Sequence, residues 1–342
     1  MKKSIALILA LLMVFSLAAC GSNEDTGSTP DAGNSYTISI AHACSEDSTA
    51  HIASVGFKDD IEAATNGRIT VEIFPNGLMG GDFDCCELVA SGSVTACAPA
   101  ISVLANYHDE IGILDLPFIF SSEEESDAAL NHGGELGAYL SDLCADVNLK
   151  ILNYSYGGKR NMTNNIQPIN TPADLAPIKM RVMESPVFLR MFELLNCNAT
   201  PMSFSELYTG LQQGTVDGQE NSNSTIYDSK FFEVQKYLSV TEHCYSFGGF
   251  VINNDFFNSL SAEDQALISE ISSKWYGDEH LRIEKEKEEN YISKLENEEG
   301  MIVNTVSPEN HQKFVEAVEP MYEEYKAAWG EKVFSILDAC KK

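Results

Sequence analysis

Two arginines, Arg160 in YGGKRNMTNN and Arg181 in PIKMRVME, are the residues of this chain best suited to hold a ligand. Each sits at or just past a stretch that reads as a strand, and in open α/β sheets ligands bind at the loops beyond the strand ends. A guanidinium there presents a planar fork of donors that can grip a carboxylate with two parallel hydrogen bonds. The alternative for either arginine is a structural ion pair, because 22 Lys and Arg face 51 Asp and Glu in a chain of formal net charge −29. Such a charge repels nucleic acid and attracts a small anion only where a few cations converge. Other chemistries lack a foothold. There is no GxSxG elbow, HExxH helix, P-loop or GxGxxG fingerprint, and neither the seven histidines nor the nine cysteines show metal-ligand spacing, so no metal or cofactor is expected. The eight cysteines after Cys20 read as buried free thiols.

The elements that must position these arginines form an α/β pattern. Residues 36–43 alternate as a strand, 48–65 repeat at helical spacing, and 68–75 form a second strand ended by Pro75. Strand, helix, strand implies a parallel unit. A helix over 82–91 and strands over 94–99 and 149–157 come next. A second set begins after Gly157 and Gly158, with strands at 177–183 and 199–204 and helices at 185–196 and 205–215, the last entered through Ser205. Residues 261–297 contain no proline and carry opposed charges at helical spacing, which predicts one or two long helices with a solvated face; no chemistry is assigned to the acidic positions 284–289. The polar run Asp217, Gly218, Gln219, Glu220, Asn221 reads as a loop turning at Gly218, with Asp217 and Glu220 holding the turn.

The first twenty residues have a basic start, an apolar run over 5–17 and small residues before Cys20, which is the pattern of a secretory signal too short to span a bilayer. LAAC resembles the lipobox of bacterial lipoproteins and implies a lipid on Cys20. Residues 21–35 then read as a flexible tether.

The segment KMRVMESPVFLRMFELLNCNATPMSFSELYTGLQQGTVDGQENSNSTIYDSKFFEVQKYLSVTEH resembles the core of the solute-binding subunits of TRAP (tripartite ATP-independent periplasmic) transporters. The similarity extends through FPNGLMGGD, LPFIF and GKRNMTNNIQPI over nearly all of the mature chain. The resemblance implies an α/β, two-lobed, periplasmic-binding-protein-like fold with discontinuous lobes, mixed sheets and a long helix spanning both. Lobe I is expected at 36–158 with part of 246–290 returning to it, and lobe II at 159–245 with helices of 291–342 packing across.

The resemblance also implies site roles. Arg181 matches the arginine that pairs with the solute carboxylate, Arg160 a second basic residue beside it, Asn221 an amide that meets the same carboxylate, and Phe204 an aromatic lying against the solute. Asp82, His42 and Glu184 match positions that reach the ligand in some members. QENSNST stands where QENP is commoner, which should loosen the next turn. Acceptors beside a carboxylate clamp suit a hydroxylated acid, a hexuronate or aldonate, better than a C4 dicarboxylate or keto acid. The implied protein is not an enzyme. It is an exported monomer, anchored by lipid to the outer face of the cytoplasmic membrane, that delivers an organic acid anion to TRAP membrane subunits. A ligand-sensing lipoprotein and a sugar-acid enzyme are the other readings.

Overall fold

The computed structural model describes residues 34–341; the signal segment with Cys20 and tether residues 21–33 lie outside the described residues. The first unit is built as the residue pattern requires. Strand β1 (Tyr36–Ala41) leads to helix α1 (Thr49–Ala64), whose first turn is closed by the Ser48 hydroxyl accepting from the His51 N–H at 3.2 Å. Strand β2 (Ile69–Phe74) returns parallel to β1. Helix α2 (Asp82–Ala90) and the short β3 (Ala96–Cys97) come after it. β3 is briefer than the predicted 94–99, although the Ala98 N–H still donates to the Ala41 carbonyl at 2.9 Å before Pro99, which has no N–H to give. Helices α3 (Glu123–Leu130) and α4 (Glu135–Leu143) precede the 16-residue β4 (Leu149–Asn164).

The second set comprises β5 (Lys179–Val182), α5 (Pro186–Leu194), β6 (Asn198–Pro201), α6 (Phe204–Gln212), β7 (Gly218–Ser222), α7 (Asn223–Asp228) and β8 (Tyr237–Val240). The chain then returns through β9 (Tyr245–Asn253) and α8 (Asn254–Ser259) to a long rod. That rod is α9 (Ala262–Ser272), a π-helical segment over Ser273–Glu279, and α10 (His280–Asn297). Strand β10 (Ile302–Thr305) and helices α11 (Pro308–Val318), α12 (Pro320–Trp329) and α13 (Glu331–Cys340) complete it.

The strands run in the order β2-β1-β3-β9-β4-β7-β5-β6, with β8 on β4 and β10 on β8. The β1–β2, β1–β3 and β5–β6 pairs are parallel, while β4 is antiparallel to β7, β8 and β9, so the sheet system is mixed. β4 joins two halves. Residues 149–159 pair with β9 and residues 160–164 with β7, and the register slips between Tyr156 and Lys159 where Gly157 and Gly158 intervene. β4 thus continues well past residue 157, where the pattern alone ends it.

Three expectations are corrected. The polar run after residue 217 is a buried strand, not a loop: every residue of β7 is buried, and its side chains bond to other buried groups. Gly218 makes no turn; it lets β7 approach β4, where a Cβ would sit 2.4 Å from the Thr163 carbonyl oxygen. Asp217 and Glu220 are structural, as expected, although Asp217 accepts from the Lys179 N–H and Glu220 from a guanidinium. QENSNST does not loosen the chain after β7, because the Ser222 hydroxyl accepts from the Thr225 N–H at 3.4 Å and caps α7. Helix α6 starts at Phe204 after Ser203, which makes no side-chain cap bond, so Ser205 is not its cap.

The rod is only partly solvated. Its π segment is fixed where Trp275 Nε1 and Lys274 Nζ both donate to Asp60 on α1, at 2.7 and 2.6 Å. Ile38, Phe57, Phe250 and Tyr276 belong to one apolar core, which packs α1 and the rod on β1 and β9. The eight described cysteines are all free thiols, six of them buried. Among the described residues no helix is long and apolar enough to cross a membrane.

Candidate functional site

A cavity of about 930 Å³, counting its open mouth, is lined by residues from both halves of the sheet system. Strand β5 carries Arg181 into it. The side chain is 3% exposed, and its Nε donates to the Met202 carbonyl at 2.8 Å. Its Nη1 is buried with no hydrogen-bond partner. Burial lowers its pKa to about 10, which leaves the guanidinium charged at neutral pH. A buried cation with an idle donor costs free energy unless an anion arrives.

Arg160 also lines the cavity, but its fork is already engaged. Nε donates to Glu220 Oε2 at 2.5 Å, Nη2 to Oε1 at 2.8 Å and to the Glu220 carbonyl at 2.7 Å, and Nη1 to Ser246 Oγ at 3.0 Å. Arg160 is held in a buried ion pair, whereas Arg181 keeps a buried donor without a partner. His243 Nε2 lies 3.2 Å from the same Glu220 carboxylate. Burial alone would raise the Glu220 pKa, yet the charge and donors of Arg160, with those of His243, hold it down at about 2. Glu220, His243 and Cys244 bring possible metal donors within 4.8 Å, but Glu220 is committed to Arg160 and burial pushes the Cys244 thiol up, so this is an ion-pair core.

Around Arg181 stand other residues singled out from the sequence. Phe204 opens α6 and lines the cavity, its ring 5.9 Å from that of Phe231. Asn221, on β7, lines it too, with Nδ2 donating to Gln219 Oε1 at 2.5 Å. Glu184, half-buried just past β5, lines it as well; burial raises its carboxyl, with Arg181 pulling the other way. Asp82 opens α2, and its Oδ1 is buried without a partner. Burial pushes the Asp82 carboxyl up to about 6 against the pull of the Ala100 backbone and Arg181. His42 is the exception. It lies buried beyond the end of β1, outside the cavity lining, with Nε2 3.1 Å from His51 Nδ1. Burial lowers its pKa to about 4, so it stays neutral there.

Sequence pattern alone missed the wall formed by the long rod. Glu284 and His280 line the cavity from α10, with Thr49 from α1 and Ser224 and Asp228 from α7. One signal was available: Glu284 and Glu288 are like charges at i, i+4, which a solvated helix face disfavours. Glu288 accepts from the Ser224 N–H at 2.8 Å and Asn223 Nδ2 at 3.2 Å, yet burial, added to the Glu284 charge, pushes its carboxyl up to about 8. The folded chain then holds a proton that the unfolded chain, with its ordinary carboxyl near 4.5, has already released. Stability must fall as pH rises from about 4.5 to about 8. Thermal melts across this window should show the fall, and Glu288→Gln should remove on the order of 1–2 kcal/mol of it after solvent screening. Parallel curves for the two proteins would contradict this.

Residues 40–328 match the family described as bacterial extracellular solute-binding protein, family 7. The chain is similar to a solute-binding protein of Verminephrobacter eiseniae, 31% identical over 294 residues that cover 86% of each chain. Among solved structures it is similar to the sugar acid binding protein of Advenella mimigardefordensis in complex with galactonate, 33% identical at a TM-score of 0.85, covering 90% of this chain and 98% of that one. It is also similar to a TRAP periplasmic solute binding protein of Shewanella oneidensis with bound succinate, 27% identical at a TM-score of 0.84, covering 90% and 100%. The chain thus belongs to family 7 of the bacterial extracellular solute-binding proteins, the two-lobed binding subunits of TRAP transporters.

Proposed function

We propose that this chain captures a small sugar acid, a hexuronate foremost, outside the cytoplasm and hands it to TRAP membrane subunits. One observation carries the reading: Arg181 Nη1 is buried, charged and without a partner in a cavity otherwise rich in acceptors. A carboxylate laid on that fork gains charge-assisted bonds from a guanidinium that is itself buried. Asn221 offers its remaining amide hydrogen to the same group, and Phe204 an apolar face.

The rest of the solute meets Asp82 and Glu184. Among the described residues no lysine lines the cavity, and its second arginine belongs to Glu220. A C4 dicarboxylate would set its second charge against these acids with no cation to receive it, whereas a hydroxyl donates to them. The galactonate held by the Advenella protein is a hydroxylated acid of this kind.

The lobe boundaries track the pairing of β4. The hinge in this reading is the register slip at Gly157 and Gly158, with strands β1 to β3 on one side and β5 to β7 on the other. Gly81 lies so near Ser203 that a Cβ would come 2.2 Å from its hydroxyl oxygen, so the starts of α2 and α6 lie side by side. Lipid on Cys20 would keep the body at the membrane, and release of a Cys20→Ala chain from the membrane fraction would test that.

Thermal melts against uronates, aldonates and C4 dicarboxylates test the solute class, because a ligand that binds only the folded state raises the melting temperature with its concentration. Hexuronates or aldonates should give the largest shifts. A shift with dicarboxylates alone, or with no carboxylate at all, would overturn the assignment.

A further inference from the structure

The wall contributed by the rod carries a second polar device, separate from the arginine clamp. Glu284 is 3% exposed, and each of its carboxylate oxygens accepts from a hydroxyl: Oε2 from Thr49 Oγ1 on α1 at 2.6 Å, Oε1 from Ser224 Oγ on α7. Each hydroxyl has a single proton and directs it to Glu284. These three groups have acceptor capacity alone left for the cavity.

One turn earlier on the same helix, His280 lines the cavity at 6% exposure, with Nδ1 buried and unpartnered. Asp228 stands beside them, its Oδ2 bonded to Lys287 Nζ at 2.6 Å. The two polar ends of the cavity are distinct. The charges that act on Arg181 are Glu220, Arg160, Asp82 and Glu184, while those on Glu284 are Lys287 and Asp228.

We infer that Glu284, held by Thr49 and Ser224 and flanked by His280, is a further specificity-determining residue that reads the far, hydroxylated end of the solute and, with Asp82 and Glu184 nearer the clamp, turns away a second carboxylate. This rests on the proposal that the solute's own carboxylate sits on Arg181. A solute hydroxyl donates to the acceptor wall and takes the place of water there. A second carboxylate brings no proton and meets a buried negative charge. Sites that bind a hydroxyl through buried polar groups discriminate strongly against molecules lacking it, since those groups are left unpaired.

Calorimetric titration of the wild-type protein, Glu284→Gln and Glu284→Asp with galacturonate, galactonate and succinate tests the inference. The wild type should prefer a sugar acid. Glu284→Gln keeps the shape and removes the charge, so it should weaken the sugar acid on the order of 10- to 100-fold without weakening succinate, collapsing the preference at least about tenfold. Glu284→Asp keeps the charge and withdraws it from reach, so it should lose the sugar acid while still refusing succinate. It also carries the test if Glu284→Gln fails to fold, as melting curves would show. A wild type that prefers sugar acids, with a preference unchanged in every folded variant, would overturn the role of Glu284 alone. A wild type that takes succinate in preference would overturn the sugar-acid assignment and this inference with it.

Discussion

Arg181→Ala is expected to abolish solute binding while leaving the empty protein as stable as before, or more so. The guanidinium is buried, bonded only through Nε to the Met202 carbonyl, and has a buried Nη1 with nothing to meet. In the empty protein that group costs free energy, so its removal relieves a penalty. In the complex the loss has the opposite sign, because the solute carboxylate would be buried without its counter-charge. That arrangement typically costs about 2–5 kcal/mol, which is thirty-fold to several-thousand-fold in affinity. The two signs separate a ligand anchor from a structural residue. A melting temperature that drops in the empty variant, with solute affinity intact, would show that the anchor lies elsewhere. Lysine is not expected to rescue, since a point charge lacks the planar fork.

Glu220→Ala should be the most damaging single change to stability in this region. It strips the counter-charge from Arg160 and the partner from His243, both nine-tenths buried or more. Breaking a buried pair on one side costs about 3–5 kcal/mol, or on the order of 10 °C in melting temperature for a chain of this size. Replacing Arg160 and Glu220 together by methionine should recover much of that, because two apolar groups leave no stranded charge. A double variant as unstable as the single one would refute the account. The pH dependence has a definite sign. With its folded pKa held at about 2, below the ordinary 4.5, Glu220 contributes stability that is present above about pH 4.5 and lost as pH falls towards 2. Glu288 acts in the other direction at higher pH. Stability should therefore peak on the acid side of neutrality, near the ordinary carboxyl range.

Much of this architecture was legible because apolar burial leaves a periodic trace. The spans of β1, α1, β2 and α5 fall within two residues of those read from the pattern, and Arg181 was placed at a strand on that basis. Polar burial leaves no such trace. GQENS reads as solvent-facing by composition, but Glu220 is satisfied by Arg160, and the Gln219 amide by Thr163 and Asn221, all distant in sequence or hidden by alternation. The same blindness left both readings of Arg160 open, since its partner sits sixty residues away. It also made α10 look like a solvated face, since a charged helix shows from sequence only which residues share a side, not what that side meets. Resemblance to known proteins named Arg181, Asn221 and Phe204, which line the cavity, and His42, which lies outside the lining beside His51; it did not name Glu284, which lines the cavity too.

The π-helical segment Ser273–Glu279 acts as a phase shifter for everything downstream of it. A residue of an ordinary helix advances by about 100°, and a π turn absorbs one extra residue without interrupting the rod. Excising a single residue there would swing His280, Glu284 and Glu288 round the axis together while the anchorage of α9 stayed put. The wall that α10 gives to the cavity is thus set by chain length alone, at a stretch where Trp275 bonds to α1 and none of residues 273–279 lines the cavity.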